Sequence, residues 1–263
     1  MKSALIPPRG LENYILYSNF HLALAIPECM KNNEYVEAYQ QAAMRGDYIV
    51  VDNGAADGGL VSNEELLKAA SVLMAQEVVA PDVFYDKVST VVKVKEFLKY
   101  MASAPNSQTF KVMAVVQGTN YNDLYDCVDV YSNIKDVKVL GLPKHLLTTL
   151  NLKSARIDLA NWIKQYYSDR FELHFLGTNP CWIKEIASAV KYAPHIRSVD
   201  SALPFNYALA SQNLATTKIE LTRNPEYFNL DWADSVSARR VTENINTFME
   251  WSSATIVEAP SSC

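Results

Sequence analysis

Short β-prone runs alternate with longer helical patterns along almost the whole chain, and nothing else in the sequence constrains the fold as tightly. The runs are SALIP (3–7), NYILYSN (13–19), DYIVVD (47–52), EVVAPD (77–82), FKVMAVVQG (110–118), VKVLGL (137–142), FELHFLG (171–177) and IRSVDSA (196–202). Helical periodicity runs over 33–46, 62–75, 87–102, 122–134, 155–168 and 181–193, and again within 232–251. Ser62 before an acidic turn signals a helix start, and Gly46 signals a stop. Strands that alternate with helices build βαβ units and therefore a parallel sheet. Eight such units in 263 residues are the size of a (β/α)8 barrel. The expectation is an α/β protein with one TIM-barrel domain over 1–263; a doubly wound open sheet is the competing architecture.

Hydrophobic residues make up 49% and charged residues 20%, which suits a large core and not a disordered chain. A net charge of −5 argues against a broadly basic nucleic-acid surface but leaves room for a local basic groove. Cys29, Cys127, Cys181 and Cys263 form no C-x-x-C pair, so spacing supports neither a disulfide framework nor a zinc cluster. Reduced thiols in a cytoplasmic protein are expected. MKSALIPPRG lacks the apolar stretch of a secretory signal, and no run of about 18 apolar residues suggests a membrane span.

In a barrel, catalytic groups come from the C-terminal ends of several strands. Those ends, taken in order, are Asn19 with His21, then Asp52, Asp82, Gln117 with Gly118, Gly141, Gly177 and Asp200. An Asp after a strand also caps the next helix or closes an Asx turn. Three acids and an amide at one barrel mouth suit a different role. One carboxylate can attack an anomeric carbon, a second can move a proton, and a third with the amide can accept the N–H donors of a purine edge.

In this order the strand-end motifs resemble the tRNA-guanine transglycosylase family over about residues 13–210. ILYSNFHLALAIP (15–27), with Asn19, His21 and Leu22, resembles its asparagine-x-x-histidine-leucine segment, and VVDNGAADGG (50–59) its D-S-G-G-F-Q. APDVFYDK (80–87) resembles the segment with the base-binding aspartate, and VVQGTN (115–120) its Q-G-G. VLGLP (139–143), FLGTNP (175–180) and VDSALP (199–204) resemble its G-G-L, L-M-G-x-G-x-P and D-C-V-x-P-T-R. The resemblance implies Asp200 as covalent nucleophile and Asp52 as general acid/base. It implies Asp82, Gln117, Gly118, Gly141, Leu142 and Gly177 around the base. His21 would be structural support.

The departures are as specific. The family's zinc site, three cysteines and a histidine near the C-terminus, is absent, since only Cys263 lies beyond Asp200. PFNYALA replaces the arginines that hold tRNA phosphates, and Thr119 replaces the second Gly of Q-G-G. Chain length and missing zinc are similar to the short phage DNA 7-deazaguanine transglycosylases. The resemblance implies a barrel without the zinc-binding subdomain, placed in the host cytoplasm if phage-encoded. It would exchange guanine in DNA for a free 7-deazaguanine base, such as 7-cyano-7-deazaguanine, with no metal or redox cofactor. The target base would be flipped into the mouth. Phe84, Tyr85 or Phe205 would stack on it, and His145 would touch substrate. A homodimer or an accessory protein is compatible. The alternatives are a tRNA-guanine transglycosylase, a nucleosidase, and a non-catalytic nucleic-acid-binding paralogue.

Overall fold

The computed structural model describes residues 1–57, 61–104, 110–179, 184–217 and 219–253. Cys181, Cys263, Gly58, Gly59 and Pro180, all named above, lie outside the described residues. Eight strands form one parallel sheet: β1 (Lys2–Leu5), β2 (Phe20–Leu24), β3 (Tyr48–Asp52), β4 (Glu77–Val79), β5 (Lys111–Val115), β6 (Val137–Pro143), β7 (Glu172–Leu176) and β8 (Ile196–Ser201). The ladder runs β1-β8-β7-β6-β5-β4-β3-β2. Its two ends, β1 and β2, lie side by side, so the sheet is a nearly closed (β/α)8 barrel. Ser18 bridges this seam: its hydroxyl donates to the Ser3 carbonyl at 2.6 Å and accepts from the Phe20 N–H at 3.1 Å.

The helices are α1 (Pro27–Met30), α2 (Asn33–Met44), α3 (Asn63–Val72), α4 (Lys87–Ser103), α5 (Tyr121–Ser132), α6 (Leu146–Thr149), α7 (Ala155–Tyr167), α8 (Lys184–Tyr192), α9 (Leu203–Leu209) and α10 (Ala238–Ser252). Local chemistry sets their starts. Ser62 and Glu65 close a reciprocal capping box on α3, and Asn32, Asp86, Asn120 and Ser237 cap α2, α4, α5 and α10.

One strand is not where its β propensity placed it. The run 13–19 forms a 3-10 helix over Glu12–Tyr17, and the second strand is the next segment, FHLAL. In the 3-10 helix Leu16 and Tyr17 are exposed, whereas every residue of β2 is buried. A barrel strand needs both faces apolar, and burial on both faces overrides intrinsic preference. His21 disguises that continuous run. Asn19 and His21 therefore sit at the closed, N-terminal end of the barrel, not at its mouth. His21 faces the helices, where Nε2 bonds Asp47 at 2.8 Å and the ring meets Tyr39 edge-on. Burial keeps its pKa below the ordinary imidazole value.

Alternation along each strand then fixes what points inward. The barrel floor is polar. Arg197 of β8 reaches across to Glu77 of β4 with two bonds of 2.8 and 2.9 Å, and Tyr48 donates to the same carboxylate at 2.8 Å. Phe20 and Tyr48 stack beside the Arg197 guanidinium. Between β7 and β8 the register shifts at Leu173/His174: Leu173 pairs with Ile196, but His174 pairs with Ser198. Arg197 is the extra residue of a bulge, which lets Arg197 and Ser198 both face the interior.

After α9 the chain crosses the mouth beside β1. Tyr227 donates to the Ile6 carbonyl at 2.6 Å, and the Trp232 N–H donates to the Arg9 carbonyl at 3.0 Å. Buried Asn244 of α10 ties this segment down through the Pro204 and Gln212 carbonyls and the Leu214 N–H.

Candidate active site

The C-terminal ends of the strands enclose a cavity of about 390 Å³, within the usual range for small-molecule sites. Asp52 from β3, Asp82 after β4 and Asp200 from β8 all line it. In the ring β1 and β2 lie between β8 and β3, so Asp200 and Asp52 enter the mouth from strands three places apart.

Asp200 is held by one oxygen. Oδ1 accepts the Gly177 N–H at 2.8 Å and lies 3.0 Å from His174 Nε2, while Thr178 donates to the Asp200 backbone carbonyl at 3.0 Å. Oδ2 is the oxygen left to face the cavity. Gly177 has φ +69°, a backbone conformation suited to glycine, and a Cβ there would stand 2.9 Å from Lys144 Cδ. The glycine thus aims its N–H at Asp200 and makes room for the Lys144 stem at the rim.

Asp82 is nearly buried and accepts two amide donors, Asn53 Nδ2 at 3.0 Å and Gln117 Nε2 at 2.7 Å. Burial raises its pKa above the usual carboxylate value, against the pull of those two bonds. Gln117 cannot rotate its amide. Its Oε1 accepts the Tyr85 N–H at 3.1 Å, a fixed donor, and so His145 Nε2, 2.9 Å away, must also donate. Tyr85 adopts φ +65° to present that N–H, a conformation that costs a non-glycine residue roughly 1 kcal/mol. His145 packs against Phe84 and Tyr85, with ring centroids 5.1 and 4.8 Å away. Burial, with the Arg156 and Lys144 charges nearby, lowers its pKa to about 4. His145 is therefore a neutral ring with Nδ1 as an acceptor in the cavity wall.

A buried ion pair supports the rim from behind. Arg156 of α7 and Glu185 of α8 are both fully buried and joined by bonds of 2.8 and 2.5 Å. Arg156 Nη1 also donates to the carbonyls of Leu142, Leu176 and Gly177 at 3.0, 3.2 and 3.0 Å. One side chain thus pins the ends of β6 and β7, from which Lys144, Gly177 and Thr178 enter the site.

Of the residues singled out in the sequence, Asp52, Asp82, Gly177 and Asp200 line the cavity. Gln117 stands behind Asp82 and orients it. Gly118 faces α5, where a Cβ would come 2.6 Å from Asp123 Cβ. Gly141 faces the barrel interior below the cavity, where a Cβ would meet Leu176 at 2.5 Å. Leu142 alternates with it, is fully buried and turns to the helices. Phe84 and His145 line the cavity, whereas Phe205 is fully buried against Tyr14. Sequence reasoning passed over Asn53, Lys144, Arg156, His174, Glu185 and Arg223. The polar residue in the middle of FELHFLG, at inward parity with Glu172, was the available signal for His174. Among the described residues, no group of three or more His, Cys, Asp or Glu side chains is placed to hold a metal ion, and no helix is long and apolar enough to cross a membrane.

No protein-family model matches the chain, and no curated protein sequence does. Solved structures match its fold. A phosphoribosylanthranilate isomerase from Thermotoga maritima is 14% identical over 90% of this chain and 100% of that one, with a TM-score of 0.38. Tryptophan synthase from M. tuberculosis is 11% identical over 80% and 87%, with a TM-score of 0.44. CdNal from Clostridium difficile, in complex with mannosamine, is 10% identical over 96% and 80%, with a TM-score of 0.48. Likeness at this level carries no argument about activity.

Proposed function

We propose that the protein exchanges a guanine in DNA for a free 7-deazaguanine base through a covalent aspartyl-deoxyribosyl intermediate. One observation supports this above the others: Asp200 and Asp52 share a nucleoside-sized cavity, and Asp200 is held through Oδ1 alone. A cavity of about 390 Å³ is too small for a duplex, so the target nucleotide enters extruded or from a single strand.

In this reading, Asp200 Oδ2 gives an electron pair to C1′. The pair of the C1′–N9 bond leaves with guanine, which takes a proton from Asp52. The incoming base returns a proton to Asp52, its N9 attacks C1′, and the ester pair goes back to Oδ2. Asp82 and His145 Nδ1 accept N–H groups along the edge of the base, and Phe84 offers it an aromatic face. This reading takes DNA over tRNA because Asn206, on the cavity wall, holds the place of the phosphate-holding arginine in the resembled D-C-V-x-P-T-R motif.

The test is base exchange with radiolabelled guanine, using DNA and tRNA in parallel, with Asp200→Ala as control. Label entering DNA and lost in the variant is expected. Label entering tRNA alone moves the substrate. No label in either polymer refutes the exchange reading and leaves a non-catalytic binding subunit.

A further inference from the structure

His174 is fully buried one layer below Asp200, and its hydrogen bonds determine its tautomer. Arg197 can only donate, and its Nε lies 3.1 Å from Ser198 Oγ. Arg197 itself is fixed by Glu77 and by Glu172 at 2.8 Å. A carboxylate oxygen can only accept, so His174 Nε2, 3.0 Å from Asp200 Oδ1, donates, and the Ser198 hydroxyl donates in turn to His174 Nδ1, 2.7 Å away. Nδ1 is then a bare acceptor and the ring proton sits on Nε2, pointing at Asp200 Oδ1. The bulge in β8 makes this arrangement possible, because it turns Arg197 and Ser198 to the same side.

We infer that His174 is a positioning residue whose Nε2–H, together with the Gly177 N–H, cradles Asp200 Oδ1, aims Oδ2 into the cavity and stabilises the carboxylate re-formed when a covalent ester breaks. This rests on the proposal that Asp200 is the nucleophile; the tautomer does not. When the C1′–Oδ2 bond forms, Oδ1 becomes an ester carbonyl, a weaker acceptor than a carboxylate. When that bond breaks, its electron pair returns to Oδ2 and the charge spreads to Oδ1, where two donors wait. The cradle therefore shifts the covalent equilibrium toward free enzyme and keeps it from stalling as an adduct.

The experiment follows the adduct between the full-length protein and a guanine-containing single-stranded oligodeoxynucleotide, with tRNA in parallel, on denaturing gels titrated with free guanine. His174→Phe keeps a ring and removes both nitrogens, while His174→Gln restores an N–H near the Nε2 position. The guanine concentration that halves the adduct is expected to rise roughly tenfold or more in the Phe variant and to return toward wild type in the Gln variant. Ser198→Ala, which frees the tautomer, shifts it in the same direction. A Phe variant with unchanged or reduced adduct overturns the inference, because a merely structural role would lower adduct and activity together. Nitrogen NMR of the unliganded wild-type protein tests the donor separately: a His174 proton on Nδ1 overturns the assignment whatever the exchange assay shows. No wild-type adduct with either polymer refutes Asp200 as nucleophile, and the NMR result still decides the tautomer.

Discussion

Replacing Arg156 by Met gives the sharpest test of how the rim is held. The substitution preserves much of the buried stem but leaves the Glu185 carboxylate without its cation, at a site with no solvent exposure. It also removes the donor to three strand-end carbonyls. Breaking one side of a buried pair costs about 3–5 kcal/mol. For a chain of 263 residues, each kcal/mol moves Tm by about 2 °C, so a fall of roughly 5–10 °C is expected. Glu185→Gln should cost less, because the guanidinium keeps its carbonyl partners. Combining Arg156→Met with Glu185→Leu removes the stranded charge and should recover most of the loss. Calorimetric unfolding of the two single variants and the double variant reads this directly. A single variant within about 1 kcal/mol of wild type, or a double variant no better than Arg156→Met, would refute the argument that charge burial couples the pair.

On the proposed mechanism, Asp52→Asn should leave Tm nearly unchanged and slow base exchange by roughly 10²–10⁴, the usual span for loss of a general acid/base; single-turnover exchange checks it. Gly118→Ala should destabilise by about 1–3 kcal/mol, because the new Cβ meets Asp123 Cβ at 2.6 Å, while equilibrium binding of free guanine stays unchanged; urea unfolding with calorimetric titration separates the two. His145→Gln should flatten part of the acid loss of stability. The folded ring titrates at about 4 against 6.5 in the unfolded chain, so the unfolded state binds the extra proton between those values and wild-type stability falls as pH drops through that window. Urea midpoints measured across it for both proteins give the difference.

Much of the fold was legible because its signals are local. Seven of the eight strand runs overlap observed strands, since buried parallel strands are continuous apolar segments bounded by helix caps. The missed strand, β2, lost to a neighbour of higher β propensity, and only burial on both faces distinguishes them. The acids at strand ends could be found for the same reason: Asp52 and Asp200 sit where an apolar run stops. What could not be found depends on parity and on distant pairing. Gly141 and Leu142 differ by one residue, yet one faces the interior and the other the helices. Arg156 and Glu185 meet across two helices, and neither has a local pattern that marks it. The inward parity of His174 could be read, but its bond to Ser198 depends on the bulge at Arg197, a register shift with no sequence signature of its own.

The seam between β1 and β2 bears on how the chain is made. Within the ladder β1 is hydrogen-bonded only to β8, from the opposite end of the chain. A ribosome therefore releases the first strand long before its partner exists, while β2 to β7 can pair with neighbours as they emerge. The N-terminal strand has to wait, and it docks as a late, long-range step that the growing polypeptide cannot take early. Once docked, it is tied across the gap by Ser18 and from above by Tyr227, so the last contacts to form are also those that complete the wall beside Asp200.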